Sequence, residues 1–246
     1  MKAPDDNPLL DRLLRAFLYP YFTLLHGYRW YGVENVPRRG PAILAANHQS
    51  FLDPILMGLA AGRRVVFMGW QYYYNWPVLG ALMRLQDTIP VDLDTPGPSS
   101  IGRLLRALEQ GRLCGIFPEG GRTFDGLLCE PKPGVAALAL RSGAPVIPVT
   151  ISGAFRAWPR GQFYPVPTRI SAYFGAPFRI DRADNPRGRT DRERRREVAF
   201  ELMGRIADGF RKLGRPDVAR ASLLKLRALA GDSRRWTRSA SRIRMP

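Results

Sequence analysis

Short apolar runs along the middle of the chain constrain its fold more than any other feature. They lie at residues 28–33, 42–46, 65–68, 88–91, 113–117 and 146–149, with segments of helical periodicity between them. Apolar runs this short are typical of strands that are buried on both faces of a sheet. Their alternation with helices indicates an α/β fold with helices on both faces. We therefore predict a mixed, largely buried β-sheet flanked by helices.

Apolar residues three and four positions apart indicate four helices between and after these runs. Thr190 and Glu193 form a capping-box pattern at the start of one of them, which should end at Gly214. The Ser99-Ser100 pair is a candidate N-cap for another. The four helices are expected over residues 101–108, 135–140, 191–213 and about 217–230.

The first periodic segment, residues 8–25, predicts an amphipathic N-terminal helix. Asn7 is a candidate cap, Pro8 occupies the first helical position, and Pro20 is expected to kink the helix. The longest uncharged stretch, 16–25, is far shorter than the roughly 20 apolar residues that span a bilayer. The helix is suited either to pack on the domain core or to lie in a membrane interface, together with neighbouring aromatic residues. Those residues are Tyr19, Tyr21, Phe22, Trp30 and Tyr31.

The charge of the chain predicts an anionic partner. A net charge of +17 at pH 7 fits a phosphate ligand, a nucleic acid or an acidic membrane surface. Residues 211–246 hold 11 basic and two acidic residues, so the excess is concentrated in a tail. We expect three parts: an amphipathic, membrane-associating helix over 1–27, an α/β domain over 28–214, and a basic helix and tail over 215–246. With two cysteines and no secretory pattern, a reducing, cytosolic setting is expected.

A first polar motif, Asn47-His48-Gln49-Ser50-Phe51-Leu52-Asp53, follows the second apolar run. The point where a buried strand gives way to a loop is the usual position of active sites in α/β proteins. If the loop folds back, Asp53 accepts a hydrogen bond from one imidazole nitrogen of His48. The other nitrogen is then free to take a proton from an alcohol. The alternative is that Asn47, Ser50 and Asp53 are turn and capping residues and that His48 is a polar loop residue.

A second polar motif, Phe-Pro-Glu-Gly-Gly-Arg-Thr, occupies residues 117–123. Its glycines allow the backbone to approach a ligand, and Arg122 offers a bidentate fork for phosphate. Glu119 is suited to accept from a hydroxyl group or to hold the arginine. Lys132 stands just before a predicted helix, whose N-terminus would favour a phosphate. The alternative is an ordinary turn after a strand.

Together, these motifs and the later Val146-Ile147-Pro148-Val149 run resemble the glycerolipid acyltransferase family, specifically bacterial 1-acylglycerol-3-phosphate acyltransferases. The resemblance covers about residues 28–178. It implies the glycerolipid acyltransferase fold. It also implies transfer of a fatty acyl group from a thioester of coenzyme A or acyl carrier protein to the hydroxyl of a lysophospholipid. 1-Acylglycerol-3-phosphate, which would give phosphatidic acid, is the first expectation. No cofactor or metal is implied.

By this resemblance, His48 is the general base that deprotonates the acceptor hydroxyl and Asp53 is its orienting carboxylate. The implied substrate-binding residues are Asn47, Ser50, Glu119, Gly120, Gly121, Arg122, Thr123 and Lys132. One departure concerns the acceptor, because Leu93 stands where the family usually has an arginine thought to hold its phosphate. That loss removes a contact of about 1.5–3 kcal/mol, unless Arg84 or Arg103 substitutes for the missing guanidinium. The acceptor could therefore be another lysolipid or a hydroxylated lipid.

Because the implied acceptor and product are lipids, we expect a peripheral or monotopic protein on the cytoplasmic face of the cell membrane. Arginines of the tail would contribute about 1 kcal/mol each near anionic lipid, although a solvated tail is an equal alternative. Two other functions stay open at this point. A nucleic-acid-binding protein fits the charge, but no helix-turn-helix, zinc-finger or RNP signature supports it. An inactive family member that binds lipid is motivated by Leu93.

Overall fold

The structure, a computed structural model, describes residues 8–85, 87–92, 98–180 and 190–230. Its strands are β1 Arg29–Tyr31, β2 Ala42–Ala46, β3 Val65–Val66, β4 Met68–Trp70, β5 Ile89–Val91, β6 Leu113–Ile116, β7 Val146–Ser152 and β8 Ser171–Phe174. Six of them form one sheet in the order β1-β8-β7-β2-β6-β3. Neighbours in this sheet run parallel except β7 and β8, which are antiparallel. The prediction of a mixed, largely buried sheet is confirmed.

Helices cover both faces of this sheet. They are α1 Pro8–His26, α2 Asp53–Ala61, α3 Pro77–Leu85, α4 Pro98–Glu109, α5 Gly134–Ser142, α6 Ala154–Ala157, α7 Asp191–Lys212 and α8 Pro216–Ala230. Side chains of β2 alternate between two hydrophobic cores, because successive residues of a strand point to opposite faces. Ile43 and Ala45 enter the core shared with α4, α5, α7 and α8. Leu44 enters the core shared with α1 and α2.

The predicted strand over 65–68 is divided between two sheets. β3 pairs with β6 in the main sheet, whereas β4 pairs in parallel with β5 in a separate two-stranded sheet. Phe67 lies between them and packs its ring over β6, where a Cβ atom on Gly115 would lie 2.1 Å from the ring. Residues 65–67 are buried and Met68 is partly buried, and all four are apolar, so the sequence shows no interruption where the chain changes sheet.

The ends of the helices agree only in part with the predicted caps. The capping box is confirmed, because the Thr190 hydroxyl accepts from the Glu193 N–H and the Glu193 carboxylate accepts from the Thr190 N–H. The other predicted cap is wrong: α4 begins at Pro98, which places Ser99 and Ser100 inside its first turn. Proline suits a first helical position because its φ is fixed near the helical value and it has no N–H to satisfy.

Helix α1 buries one side on the sheet and exposes another. Phe22 lies in the core beside β1 and α2, while Leu13, Phe17 and Leu24 are exposed. Both sequence-based alternatives, packing on the core and lying in an interface, therefore have side chains that suit them. Within the described ranges, no helix combines the length and apolar character that crossing a bilayer requires.

Helix α8, which belongs to the predicted C-terminal part, shares a core with the domain that precedes it. Its residues Ala219 and Leu226 are buried in the same cluster as Phe210 of α7. The expected tail after residue 230, the candidate cap Asn7 and the departure at Leu93 lie outside the described residues.

Candidate active site

The two polar motifs meet at one edge of the sheet. They follow β2 and β6, which are parallel neighbours, so both chains leave the sheet at the same edge. The backbone N–H of His48 donates to Glu119 Oε1 at 2.8 Å. In the other direction, the N–H of Thr123 donates to the carbonyl oxygen of His48 at 2.8 Å. These two bonds hold together two loops that are about seventy residues apart in sequence.

His48 and Asp53 form a hydrogen-bonded pair. The loop folds back so that His48 Nδ1 lies 2.8 Å from Oδ2 of Asp53, the first residue of α2. The same oxygen accepts the backbone N–H groups of Gln49 at 2.6 Å and Ser50 at 2.7 Å. Asp53 is fully buried, and the positive end of the α2 dipole favours its negative charge. The carboxylate is thereby fixed in place before any substrate binds.

One face of the His48 imidazole packs on an aromatic ring. Its ring stacks on Phe117 with centroids 3.9 Å apart and planes 14° from parallel. The side chain is 19% exposed. No group in the part of the chain that the structure describes bonds to Nε2. An Nδ1–H bonded to the carboxylate leaves Nε2 as the basic nitrogen, which can accept a proton from a hydroxyl group.

The Glu119 carboxylate connects the two loops through bonds to their backbone groups. Besides its bond to His48, its Oε2 accepts the backbone N–H of Cys129 at 3.0 Å. Burial raises the pKa of Glu119 to about 7, and the backbone bonds from His48 and Cys129 oppose that rise. Because both oxygens are occupied by backbone groups, the geometry makes Glu119 a residue that positions the His48 loop.

Arg122 presents a cationic group that lacks a full set of protein partners. Its guanidinium carbon lies 3.5 Å above the ring of Phe51, and Nη2 is 3.5 Å from the hydroxyl of Tyr73. Nη1 is buried and has no hydrogen-bond partner. Burial lowers the pKa of Arg122, and the like charge of Arg160 adds to this effect, while Tyr73 and Asp53 oppose it. A buried, unsatisfied guanidinium is unfavourable without an anion, so this position suits a phosphate or carboxylate.

Asn47 and Ser50, which were expected to bind substrate, have side chains that bond to the backbone of the protein. The side chain of Asn47 bonds both backbone groups of Ile151 on β7, at 2.8 and 2.9 Å. The Ser50 hydroxyl donates to the carbonyl of Trp158 at 2.9 Å and accepts from the Leu52 N–H. Both side chains are buried, and their polar atoms are used within the protein. They fix the loop that carries His48.

Thr123 also turns inward, whereas Gly120 and Lys132 lie at the surface. The Thr123 hydroxyl is 2.8 Å from the Leu127 carbonyl and 2.9 Å from an Asp125 carboxylate oxygen, which shapes the loop. Gly120 has φ +69°, and a Cβ there would lie 2.8 Å from Lys132 Cδ. Glycine is favoured here because this left-handed φ strains other residues, and the Lys132 side chain lies over the turn.

Gly121 and Arg122, which follow Gly120 in the second motif, are half-buried. Among the residues expected to bind substrate, Arg122 is the one with a buried side-chain nitrogen that has no hydrogen-bond partner in the described part of the chain.

Several residues of the site were missed by sequence reasoning. Two aromatic rings from other parts of the chain pack on Phe51 of the first loop, with ring centroids 5.2 Å apart for Tyr73 and 5.3 Å apart for Trp158. Arg160, which acts electrostatically on Arg122, was missed too. Phe51 stands inside the first motif, and that position was the one sequence feature that could have assigned it to the site. Tyr73, Trp158 and Arg160 are distant in sequence and carried none.

Arg84 and Arg103, the two candidates for replacing the family arginine, lie around the small sheet. Arg84 Nη1 donates to the carbonyl of Tyr74 at 3.0 Å, and Arg103 Nη2 donates to that of Pro90 at 3.0 Å. Both guanidinium groups thus already have backbone partners. Arg122 differs from both in having a buried Nη1 with no hydrogen-bond partner among the described residues, so the geometry favours it for an anionic group.

Comparison with known proteins places the chain among acyltransferases by sequence. Residues 28–152 match the family model described as Acyltransferase. A 1-acyl-sn-glycerol-3-phosphate acyltransferase of Bacillus subtilis is 29% identical over 132 residues, which are 53% of this chain and 65% of that protein. The chloroplastic 1-acyl-sn-glycerol-3-phosphate acyltransferase LPAT1 of Arabidopsis thaliana is 31% identical over 59% of this chain and 40% of its own length.

A solved structure extends the similarity to the fold. The crystal structure of the 1-acyl-sn-glycerophosphate (LPA) acyltransferase PlsC from Thermotoga maritima superposes with a TM-score of 0.65 at 25% identity. The match covers 82% of this chain and 79% of that one. The chain spans between 40% and 65% of the length of the two relatives described above. Because the family model covers more than half of its residues, the chain belongs to the acyltransferase family.

Proposed function

We propose that this protein transfers a fatty acyl group from an acyl thioester to the free hydroxyl of a lysophospholipid, with 1-acyl-sn-glycerol-3-phosphate as the preferred acceptor. One observation carries the proposal. The His48–Asp53 pair, with Nε2 unbonded, lies on the loop that also carries Phe51, and Phe51 stacks under the unsatisfied guanidinium of Arg122. A base for a hydroxyl and a cation for a phosphate are therefore built into the same pair of loops.

The chemical step follows from the state of His48. Nε2 takes the proton of the acceptor hydroxyl while the alkoxide oxygen attacks the thioester carbonyl carbon. The Asp53 carboxylate stabilises the imidazolium that forms. When the tetrahedral intermediate collapses, the carbon–sulfur bond breaks and the imidazolium returns the proton to the thiolate. The products are an oxygen ester and a free thiol, and His48 is restored.

The acceptor phosphate would be held by Arg122. Nη1 has no protein partner, and the guanidinium plane is fixed on Phe51, so a phosphate oxygen would gain a preorganised charge-assisted bond. Similarity to proteins named 1-acyl-sn-glycerol-3-phosphate acyltransferases supports the same acceptor. A different lysolipid is the alternative that the Leu93 departure keeps open.

The test is thiol release from acyl-CoA, and separately from acyl carrier protein, against a panel of acceptors. The panel contains lysophosphatidic acid, glycerol 3-phosphate and a neutral lysolipid. Release by the wild type should depend on lysophosphatidic acid and should be abolished in His48→Ala. Asp208→Asn, which changes an exposed carboxylate on α7, should retain wild-type rates. Release that persists in His48→Ala, or that occurs equally without an acceptor, would contradict the proposed chemistry.

We also propose that the protein works as a peripheral or monotopic protein on the cytoplasmic face of the membrane. Support comes from α1, whose Leu13, Phe17 and Leu24 are exposed, and from the positive net charge. Removing residues 231–246 should reduce binding to anionic vesicles more than catalysis in detergent. Vesicle binding unchanged by this truncation at every salt concentration would exclude a role for the tail.

A further inference from the structure

The loop from α6 to β8, residues 158–170, displays large apolar side chains to solvent. Phe163 is 93% exposed and Tyr164 is 70% exposed, and Val166 follows them on the same exposed turn. Phe124, in the loop after the second motif, is 79% exposed. We call these four side chains the aromatic tip. Three of them lie within four residues of one loop, and exposed apolar side chains grouped in this way indicate a surface that another apolar body covers.

The tip is held in a fixed conformation. The Trp158 indole N–H donates to the carbonyl of Gln162 at 2.8 Å, and the Gln162 amide donates to the carbonyl of Tyr164 at 2.6 Å. The N–H of Val166 donates to the carbonyl of Ala157 at 2.8 Å. Prolines at 165 and 167 fix two further φ angles. The exposed side chains are thus presented by a braced loop.

The same loop is bonded directly to the catalytic loop. Ser50, which lies between His48 and Asp53, donates to the carbonyl of Trp158 at 2.9 Å. The Trp158 ring packs against Phe51, which lies under Arg122. Arg160 lies 4.4 Å above the ring of Phe124, and it is exposed, so a cationic group stands beside the apolar side chains. The position of the tip is therefore coupled to the mouth of the site.

The tip continues into the exposed part of α1. The N–H of Ile170 donates to the carbonyl of His26 at 3.0 Å, and His26 Nδ1 lies 3.2 Å from the Thr168 carbonyl. Leu24, at this end of α1, is exposed. The apolar end of α1 and the base of the loop are thus neighbours.

We propose that the aromatic tip is a second membrane-contacting surface, which inserts its side chains into the lipid bilayer and orients the site toward it. Phenylalanine and tyrosine side chains next to arginine suit the boundary between acyl chains and anionic headgroups. This inference rests on the proposed function, because an acceptor embedded in a bilayer must reach His48 from the membrane surface. The coupling through Ser50 and Trp158 places that surface beside the catalytic loop.

The test compares vesicle binding of the full chain with that of the double variant Phe163→Ser/Tyr164→Ser. Vesicles contain phosphatidylcholine with a minor share of phosphatidylglycerol, and binding is measured by flotation. The partition coefficient should fall about 10- to 100-fold, which corresponds to the burial of about one full aromatic side chain shared between the two inserted rings. The matched control Leu224→Ser, on α8 at 55% exposure, should bind like the wild type. Equal binding by the double variant, or an equal loss in the control, would overturn the proposal.

A second measurement reports the surroundings of the loop directly and does not depend on a loss of binding. Phe163→Cys and Leu224→Cys, each made with Cys129→Ser, are labelled with an environment-sensitive fluorophore, since the other cysteine, Cys114, is buried. Vesicles should shift emission to shorter wavelength at position 163 and leave it unchanged at 224. A shift at neither position contradicts insertion.

Other occupants of the tip give different results. A change in the sedimentation coefficient with protein concentration, lost in the double variant, would assign the tip to a second copy of the chain instead. Failure of the wild type to release thiol would refute the proposed function, whereas the two vesicle measurements would still decide where the protein meets lipid.

Discussion

Replacing Asp53 with asparagine separates the charge of the carboxylate from its geometry. All three donors, from His48, Gln49 and Ser50, converge on one oxygen, Oδ2. An amide oxygen at that position can still accept all three bonds, so Asp53→Asn should keep the loop folded. The amide nitrogen then takes the place of Oδ1, which is buried and has no partner. The variant therefore removes the negative charge while His48 keeps its orientation.

The expected loss of rate follows from the separation of the two groups. Opposite unit charges at the observed 2.8 Å attract by about 6 kcal/mol at an effective dielectric constant of 20. The imidazolium forms only as the reaction proceeds, so most of this attraction acts in the transition state. Partial exposure of His48 reduces it, and we expect kcat/KM to fall by about 10³- to 10⁴-fold. A buried amide N–H₂ without an acceptor should lower the free energy of unfolding by about 1–3 kcal/mol.

The assay is thiol release at saturating acyl donor over a range of acceptor concentrations, together with thermal unfolding. The rate should fall mainly through kcat, and Tm should decrease by about 2–12 °C. Asp208→Asn is the matched control for removing one carboxylate charge, and both quantities should stay at the wild-type value. If Asp53→Asn kept more than about a tenth of the wild-type kcat/KM, stabilisation of a developing imidazolium by Asp53 would be refuted.

Three further predictions concern the second loop. Arg122→Lys keeps a charge but loses the planar fork stacked on Phe51, so the acceptor KM should rise about 10- to 150-fold, and an unchanged KM would remove Arg122 from the phosphate site. Because the pKa of Glu119 is about 7 when folded and about 4.5 when unfolded, the folded protein holds an extra proton between these values, and its free energy of unfolding should decrease as pH rises through this interval. Denaturant titrations at pH 4.5 and pH 7 should show that the free energy of unfolding decreases by about 3 kcal/mol more in the wild type than in Glu119→Gln. The same pH dependence in both proteins would contradict the raised pKa of Glu119. Lys225→Met breaks a half-exposed 2.8 Å ion pair with Asp125, which follows the second motif, so kcat/KM should fall at most about fivefold. Lys225→Arg should restore kcat/KM, because it restores the ion pair. A fall of similar size in both variants would show that the ion pair does not support the loop.

The layout of the sheet and the pairing of His48 with Asp53 were within reach of the sequence. Continuous apolar runs such as residues 42–46 are needed for a strand buried on both faces, so their positions predict the central strands. The His48–Asp53 distance was predicted conditionally, because five residues of helix would have pointed the side chains apart. The structure meets the condition through the N–H groups of Gln49 and Ser50, which bind the carboxylate.

The rest of the site depends on contacts that no local pattern encodes. Asn47 reads as a loop residue, yet it bonds the backbone of Ile151, which is 104 positions away. The sequence likewise gives no sign that Tyr73 approaches Arg122 across 49 positions. The division of 65–68 between two sheets is hidden for the same reason, since both sheets are apolar where they begin. Periodicity reports burial, whereas partner choice is decided by the tertiary fold.

The route of the chain between the two motifs has a consequence for how such a protein can diversify. The chain leaves the main sheet after β3 and returns at β6, the strand next to it, and residues 67–112 form the excursion in between. That excursion carries the small sheet and Tyr73, which lines the mouth of the site, but none of the bonds that hold His48 to Asp53. Its ring contact toward the pair is made by Phe67, which stacks on Phe117 with centroids 5.9 Å apart, and Phe117 in turn stacks on His48. Among the described residues, changes beyond Phe67 therefore leave the His48–Asp53 hydrogen bond in place. The same His48–Asp53 pair can therefore be combined with different residues on the side of the site that the excursion forms.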